Sequence, residues 1–407
     1  MRGVNPEADT VWLTGSRRAL FGFYICGVLL SFLGAILPAW GHHLTGDYSL
    51  IGHHFLATSV GIITAVFCVR HLISAYGVQK TLIAGCLVAC VALIYLATVG
   101  PPFTPIWRIG GFFWIGLAAG LINGAVFQAI SALFWRHPAA IANIAGVAFG
   151  TGCLSITLLV AGTFHAYSVG SILLFISLIP GFLAIIYLRT PFARPPALPE
   201  QSWEDIVHQV TNPSAILFSL LLFFQFGNEW AIAGWLPLFL IQRLGVNPTS
   251  ALLVLALYWL ALLSGRVLAQ WWLSRIGHGK VLIWSGAGAL FGCVVLTLTN
   301  NLFGASLGAA LLGFSFAAIL PLVIEKIGGR FPSYHPGVFY SLFSFALLGG
   351  TMAPAQLGYL AQWLGLGIVI ALPALGTLAV LLLSVLIWVE ARWGARSGKP
   401  NSPESHP

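Results

Sequence analysis

One short segment concentrates the residues able to do chemistry: Gln225, Asn228, Glu229 and Trp235 within the otherwise apolar run SAILFSLLLFFQFGNEWAIAGWLPLFL. A carboxylate can take up and release a proton. Together with two amides it can share paired hydrogen bonds with adjacent hydroxyls, while an indole face covers the apolar side of a ring. At 100° per residue Gln225, Asn228, Glu229, Ile232, Trp235 and Leu236 occupy about a third of a helix circumference, with Trp230 pointing elsewhere. The bland alternative is a polar seam that glues two helices.

Glu229 lies fifteen residues beyond Ser214, about 22 Å along a helix axis. At that depth in a bilayer a charged group costs at least ~2.5–3.5 kcal/mol. Glu229 must therefore face a watery cavity, pair, or stay protonated. Counted by residue number, no Lys or Arg falls at the same depth, so an ion pair is not expected. Asn123, flanked by Gly116, Gly120 and Gly124, reads equally as a ligand from the other half or as an interhelical bond; glycines at four-residue steps let a second helix approach closely. Gln128 and Gln356 are weaker candidates.

The elements that must position these groups are about a dozen apolar stretches of spanning length, at roughly 19–40, 51–72, 81–100, 109–134, 139–163, 167–189, 214–241, 250–273, 281–300, 303–326, 336–361 and 366–389, since ~20 apolar residues cross the hydrocarbon core. The chain is 58% hydrophobic and 7% charged, so no separate catalytic domain fits. Nearly every Lys and Arg falls in alternate gaps, with Arg108 and Arg243 the exceptions. That bias puts both termini in the cytoplasm of a multi-pass protein of the cell (inner) membrane. The net charge of +8 is then a topology signal and an attraction to anionic lipid; no basic cluster sits on a soluble domain that could hold nucleic acid. The first span follows Arg17 and Arg18 without a cleavage signal and reads as an uncleaved anchor. All six cysteines fall inside spans, so no disulfide framework is expected.

Other motifs carry less. His42, His43, Asp47, His53 and His54 crowd the first hairpin, a density that could bind metal or sense pH, although loop ligands have no fixed geometry in a sequence and no metal site is assigned. His42 and Asp47 fit H-x4-D but have no catalytic companion. Gly286, Gly288 and Gly292 lack nucleotide-binding spacing and no G-x-x-x-x-G-K-[ST] occurs, so ATP-driven transport and a nucleotide cofactor are not supported.

The segment 190–213, TPFARPPALPEQSWEDIVHQVTNP, gathers Pro, acidic and polar residues and divides the spans six and six: residues 1–189, a cytoplasmic linker at 190–213, and residues 214–407. An internal repeat supports the division. G-x-x-K-x-L-I occurs at Gly77–Ile83 and again at Gly277–Ile283, an offset of 200, while His137-Pro138 reaching Gly152 recurs as His335-Pro336 reaching Gly350, an offset of 198. Parallel six-helix repeats of this kind, with a site near the midplane between them, are the architecture of major facilitator transporters. The fold class expected is an all-α membrane protein of twelve helices in two pseudo-symmetric bundles.

The segment Arg70–Lys80 resembles the signature between the second and third helices of that superfamily, with Ser74 and Ala75 where Asp and Arg are usual. Gly265-Arg266, Leu273-Ser274-Arg275, Gly227-Asn228-Glu229, Gly234-Trp235, Pro321, Gly349-Gly350, Pro354 and Gly358 resemble the fucose–proton symporter branch of sugar permeases, with a weaker match at Asn143, Phe149-Gly150 and Gly152. The carboxylates that branch places in its first and fourth helices fall here on Gly34 and Asn123, neither of which can take a proton. Drug–proton antiporters are matched less well, because the fifth span lacks their G-P-x-x-G-G run.

The resemblance implies a secondary transporter, not an enzyme, that moves a small neutral polar solute such as a sugar by alternating access. Gln225, Asn228, Glu229 and Trp235 would line the site with Asn123 opposite, and Glu229 would carry the proton if transport is coupled. Gly77, Lys80, Arg266, Arg275, Gly277 and Lys280 would form the gating elements. The partners expected are the solute, a coupling proton and the lipid bilayer. Alternatives are an exporter or a carrier of another solute on the same fold, and a membrane sensor or lipid-handling protein that binds without flux.

Overall fold

The computed structural model describes residues 14–100, 103–136, 138–192, 211–273, 278–330 and 336–396. Twelve helical spans run in order: α1 (Thr14–Ile36), α2 and α3 (48–76 and 78–98), α4 (Pro105–Arg136), α5 (Pro138–Thr163), α6 (Val169–Leu188), α7 (Pro213–Leu244), α8 (Pro248–Leu273), α9 (His278–Leu298), α10 (302–330, interrupted at Ala318), α11 (Pro336–Leu364) and α12 (Ile368–Arg396). They agree with the apolar stretches to within several residues at most ends. The linker at 193–210 lies outside the described residues.

Local chemistry sets the ends. Asp47 Oδ1 accepts from Leu50 N at the start of α2, Ser168 from Ser171 N at α6, and Asn301 from Gly304 N at α10. Asn212 caps α7 with Pro213 in its first turn, and Gly245 closes that helix in the left-handed conformation; these are the residue types that satisfy otherwise orphaned end groups. Between α2 and α3 the chain turns at Gly77, whose φ of 85° and ψ of 166° is a conformation open to glycine and strained for other residues.

The packing repeats with an offset of six helices. α1 lies on α5, α2 on α4 and α3 on α6; correspondingly α7 lies on α11, α8 on α10 and α9 on α12. Close approaches repeat as well. A Cβ on Gly116 would meet Thr58 O at 2.0 Å, and one on Gly313 would meet Tyr258 O at 2.3 Å. Gly120 and Gly124 continue the first contact against Ala65 and Val69, so the glycine ladder of α4 does bring a helix close. Outward-pointing side chains such as Phe67, Phe182, Trp284 and Phe303 are large and exposed, the reverse of a water-soluble surface and suited to lipid.

The bundles meet through α2 with α11, α5 with α8, and α1 with α7. Much of this contact lies toward the end carrying the 41–47 connection, the hairpin end; the opposite end, the termini end, carries the first and last described residues, 14 and 396. Tyr48 N donates to Gln362 Oε1 at 3.0 Å, Ser59 Oγ to Thr351 O at 2.9 Å, and Gln242 Nε2 to His43 O. A Cβ on Gly358 would lie 2.4 Å from Gly52 Cα, so backbones touch there. The two bundles are closed on each other at the hairpin end.

Candidate functional site

Glu229 sits sixteen residues into the 32-residue α7, about 24 Å from its start, and is 6% exposed. Its Oε1 accepts from Gln225 Nε2 at 2.9 Å, a bond that one helical turn makes possible. Its Oε2 lies 3.4 Å from Arg266 Nη2. Arg266, 5% exposed on α8, donates through Nη1 to Gly146 O on α5 at 2.6 Å. A carboxylate and a guanidinium of the C-terminal bundle are thereby tied to a backbone carbonyl of the N-terminal one.

This corrects the expectation that no cation reaches the depth of Glu229. The Arg266 Cα lies only seven residues before the end of α8 at Leu273. Its long side chain carries the guanidinium inward from there, as Arg stems routinely do. Gly146 makes room for it: a Cβ at that position would fall 2.9 Å from Arg266 Nη1. Both members of the pair belong to the C-terminal bundle, and the bond from Arg266 to Gly146 reaches the other.

The other candidates divide. Gln225 is fully buried beside Glu229 and keeps Oε1 without a partner, and Arg266 likewise keeps Nε unpartnered. Asn228 turns away: Nδ2 donates to Thr377 Oγ1 at 3.4 Å, and a Cβ on Gly376 would lie 2.0 Å from its Oδ1, which ties α7 to α12. Trp235 is buried toward the hairpin end, donating Nε1 to Pro354 O at 2.9 Å and stacking on Phe55 across the interface. Asn123 is half-buried on α4, whose packing runs to α1, α2, α3 and α5; the structure does not seat it against α7. Position 34, where a carboxylate is usual in the resembled branch, has no space for any side chain, because a Cβ there would lie 2.5 Å from Ala233 O.

Sequence reasoning missed three groups. Trp230, read as pointing elsewhere, packs on Phe149 across the bundle interface at 5.7 Å between ring centroids. The Tyr258 hydroxyl donates to Glu229 O at 3.3 Å, and Asn143 is buried with Oδ1 unpartnered one turn from Gly146. In the sequence Asn143 stands only as a motif match, and Tyr258 is recoverable only as the repeat counterpart of Thr58. Of the gating candidates, Lys80 and Lys280 are exposed at the termini end, Gly77 forms the α2–α3 turn, Arg266 belongs to the buried pair, and Arg275 and Gly277 lie outside the described residues. Among the described residues no three His, Cys, Asp or Glu are placed to hold a metal ion. Of the hairpin histidines, His42 and His54 are buried.

The model of the Major Facilitator Superfamily matches residues 19–354 and 218–405. An uncharacterized MFS-type transporter of Yersinia pestis is 24% identical over 42% of this chain and 43% of its own length. Membrane protein MosC of Rhizobium meliloti is 25% identical over 40% of each. The matched stretch thus spans about two fifths of those relatives. Among solved structures, a variant of the E. coli fucose:proton symporter FucP superposes with a TM-score of 0.63 at 13% identity, covering 92% of this chain and 99% of that one. FucP in the outward conformation gives 0.63 at 15%, covering 93% and 99%. At such identity the likeness shows the fold alone.

Proposed function

Because this chain belongs to the major facilitator superfamily, we propose that it is a secondary transporter that carries a small neutral polar solute, sugar-like in its hydroxyls, between the two bundles. The observation that carries this reading is the buried Gln225–Glu229–Arg266 group bonded to Gly146 of the other bundle. Its two charges cancel, so a neutral solute can enter without stranding a counter-charge, whereas a charged one could not. The unpartnered Gln225 Oε1 and Arg266 Nε supply an acceptor and a donor for solute hydroxyls, and Trp230 with Phe149 offers an apolar wall.

Glu229 carries the coupling proton. Protonation removes its attraction for Arg266, so proton binding releases from its own bundle the guanidinium that is bonded to Gly146 of the other. In this arrangement the termini end is cytoplasmic, residues 1–189 and 214–407 move as two bodies joined by 190–213, and Gly77, Lys80, Arg275, Gly277 and Lys280 rearrange at the cytoplasmic face. Opening the hairpin end requires parting Gly52 from Gly358 and breaking the Ser59–Thr351 and Tyr48–Gln362 bonds.

The test is uptake by reconstituted protein with and without a pH gradient, for a panel of neutral sugars and of carboxylate solutes. Wild type accumulates a neutral solute down the proton gradient, and Glu229→Gln loses accumulation while keeping solute exchange. Undiminished accumulation by Glu229→Gln removes the proton role. Accumulation of carboxylates alone removes the neutral-solute assignment.

A further inference from the structure

A second buried polar group lies inside the N-terminal bundle at its hairpin end, and it differs from the first in that, among the described residues, no acid forms a salt bridge with it. Arg108, in the first turn of α4, is 6% exposed, His42 in the connection after α1 is 4% exposed, and His54 on α2 is completely buried. The His42 and His54 rings stand 5.6 Å apart, with Trp40 and Phe112 against both or one of them. The Arg108 guanidinium lies 5.5 Å over the Trp40 ring. Four of the nitrogens in this group have neither solvent nor a hydrogen-bond partner: Arg108 Nε, His42 Nε2, and both ring nitrogens of His54.

Such an arrangement is costly as it stands. A neutral imidazole always carries one N–H to donate and a guanidinium carries five, and burying donors without acceptors costs about 1–3 kcal/mol each. Arg108 also sits at the positive end of the α4 dipole, where a cation is disfavoured. The acid that acts on His42, Asp47, is already committed, accepting from Leu50 N and Ser49 Oγ as the cap of α2. Cation–π contact with Trp40 relieves part of the charge but satisfies no N–H.

We propose that Arg108, His42 and His54 form a binding site for a small monovalent anion, a halide or a carboxylate group, at the hairpin end of the N-terminal bundle. An anion supplies in one step the missing counter-charge and the acceptor for the orphaned donors. A metal cation would meet the imidazole lone pairs but would be repelled by the guanidinium beside them. The site is separate from Glu229 and Arg266, which belong to the other bundle.

The experiment uses the full chain in detergent, with a bulky sulfonate as the background anion, and measures Tm while chloride or acetate replaces the sulfonate at fixed ionic strength. Wild type gains several degrees with saturation; Arg108→Gln loses the gain and His54→Gln weakens it. No gain in wild type, or an equal gain in Arg108→Gln, overturns the proposal, as does stabilisation by Zn²⁺ with none by either anion. Should Arg108→Gln fail to fold, equilibrium dialysis of radioactive chloride decides. Wild type binds about one ion per chain and His42→Gln binds it several-fold more weakly; no saturable binding to wild type overturns the site. Displacement of the bound chloride by acetate assigns the carboxylate source, and failure to displace it assigns the halide.

Discussion

Two buried cationic groups, one in each bundle, solve the same electrostatic problem differently. Arg266 has a carboxylate and a carbonyl within reach, so its charge is met by the protein. Arg108 has an aromatic face beside the His42 and His54 pair, and among the described residues no carboxylate lies within salt-bridge distance of it. A buried ion pair is poor evidence of net stabilisation, because desolvation offsets most of the attraction, yet breaking one partner is expensive. An uncompensated buried charge is the opposite case, where removing it relieves a cost. The same residue type is therefore expected to respond by very different amounts to the same substitution.

The largest effect is expected at the pair. Arg266→Met strands Glu229 and should cost about 3–5 kcal/mol, read as a fall in Tm or in resistance to denaturant, together with loss of transport. The double variant Arg266→Met/Glu229→Gln should recover most of the stability and none of the accumulation. Equal instability of single and double variants would show that the pair is not the relevant coupling.

Acid should act next, through the hairpin-end group. Burial, and then the neighbouring Arg108, push the His42 imidazole down to about 4, with His43 acting in the same direction and Asp47 opposing. The unfolded chain titrates near 6.5, so between 6.5 and 4 it holds the extra proton. Stability is complete above 6.5 and drains away as pH falls toward 4, by about 3 kcal/mol over that window. With only the bulky sulfonate present, wild type should lose more Tm than His42→Gln over the same range, and parallel pH profiles would refute it.

The smallest change is expected at Arg108. Arg108→Met in anion-free buffer should shift stability by no more than about 1 kcal/mol in either direction, since a lost cation–π contact offsets a relieved charge. A penalty as large as that of Arg266→Met would erase the contrast between the two groups.

Much of the architecture was legible because it follows from one-dimensional rules. Apolar length marks the spans, and the 200-residue echo of Gly77 at Gly277 marks the repeat that the offset-of-six packing displays. Within the site, depth along α7 was enough to single out Glu229, and helical spacing correctly paired it with Gln225. The same spacing misjudged Asn228, which faces α12, and Trp230, which reaches Phe149. Sharing a third of a helix circumference does not say which neighbour covers which part of it. Arg266 was misplaced for a different reason: residue number locates a Cα, not the end of a six-bond side chain.

The order of residues alone determined that this chain spans a membrane as two related sets of six helices and that one acid lies deep within them, because hydrophobic length and the cost of a charge in hydrocarbon are properties of the segment itself. Only the packed structure decided that Glu229 is answered by Arg266, that Gly146 of the opposite bundle holds that guanidinium, and that His42, His54 and Arg108 come together with no salt bridge to an acid among the described residues. Those outcomes depend on which helix faces meet and how far side chains reach across the meeting, quantities set by packing between segments distant in the chain.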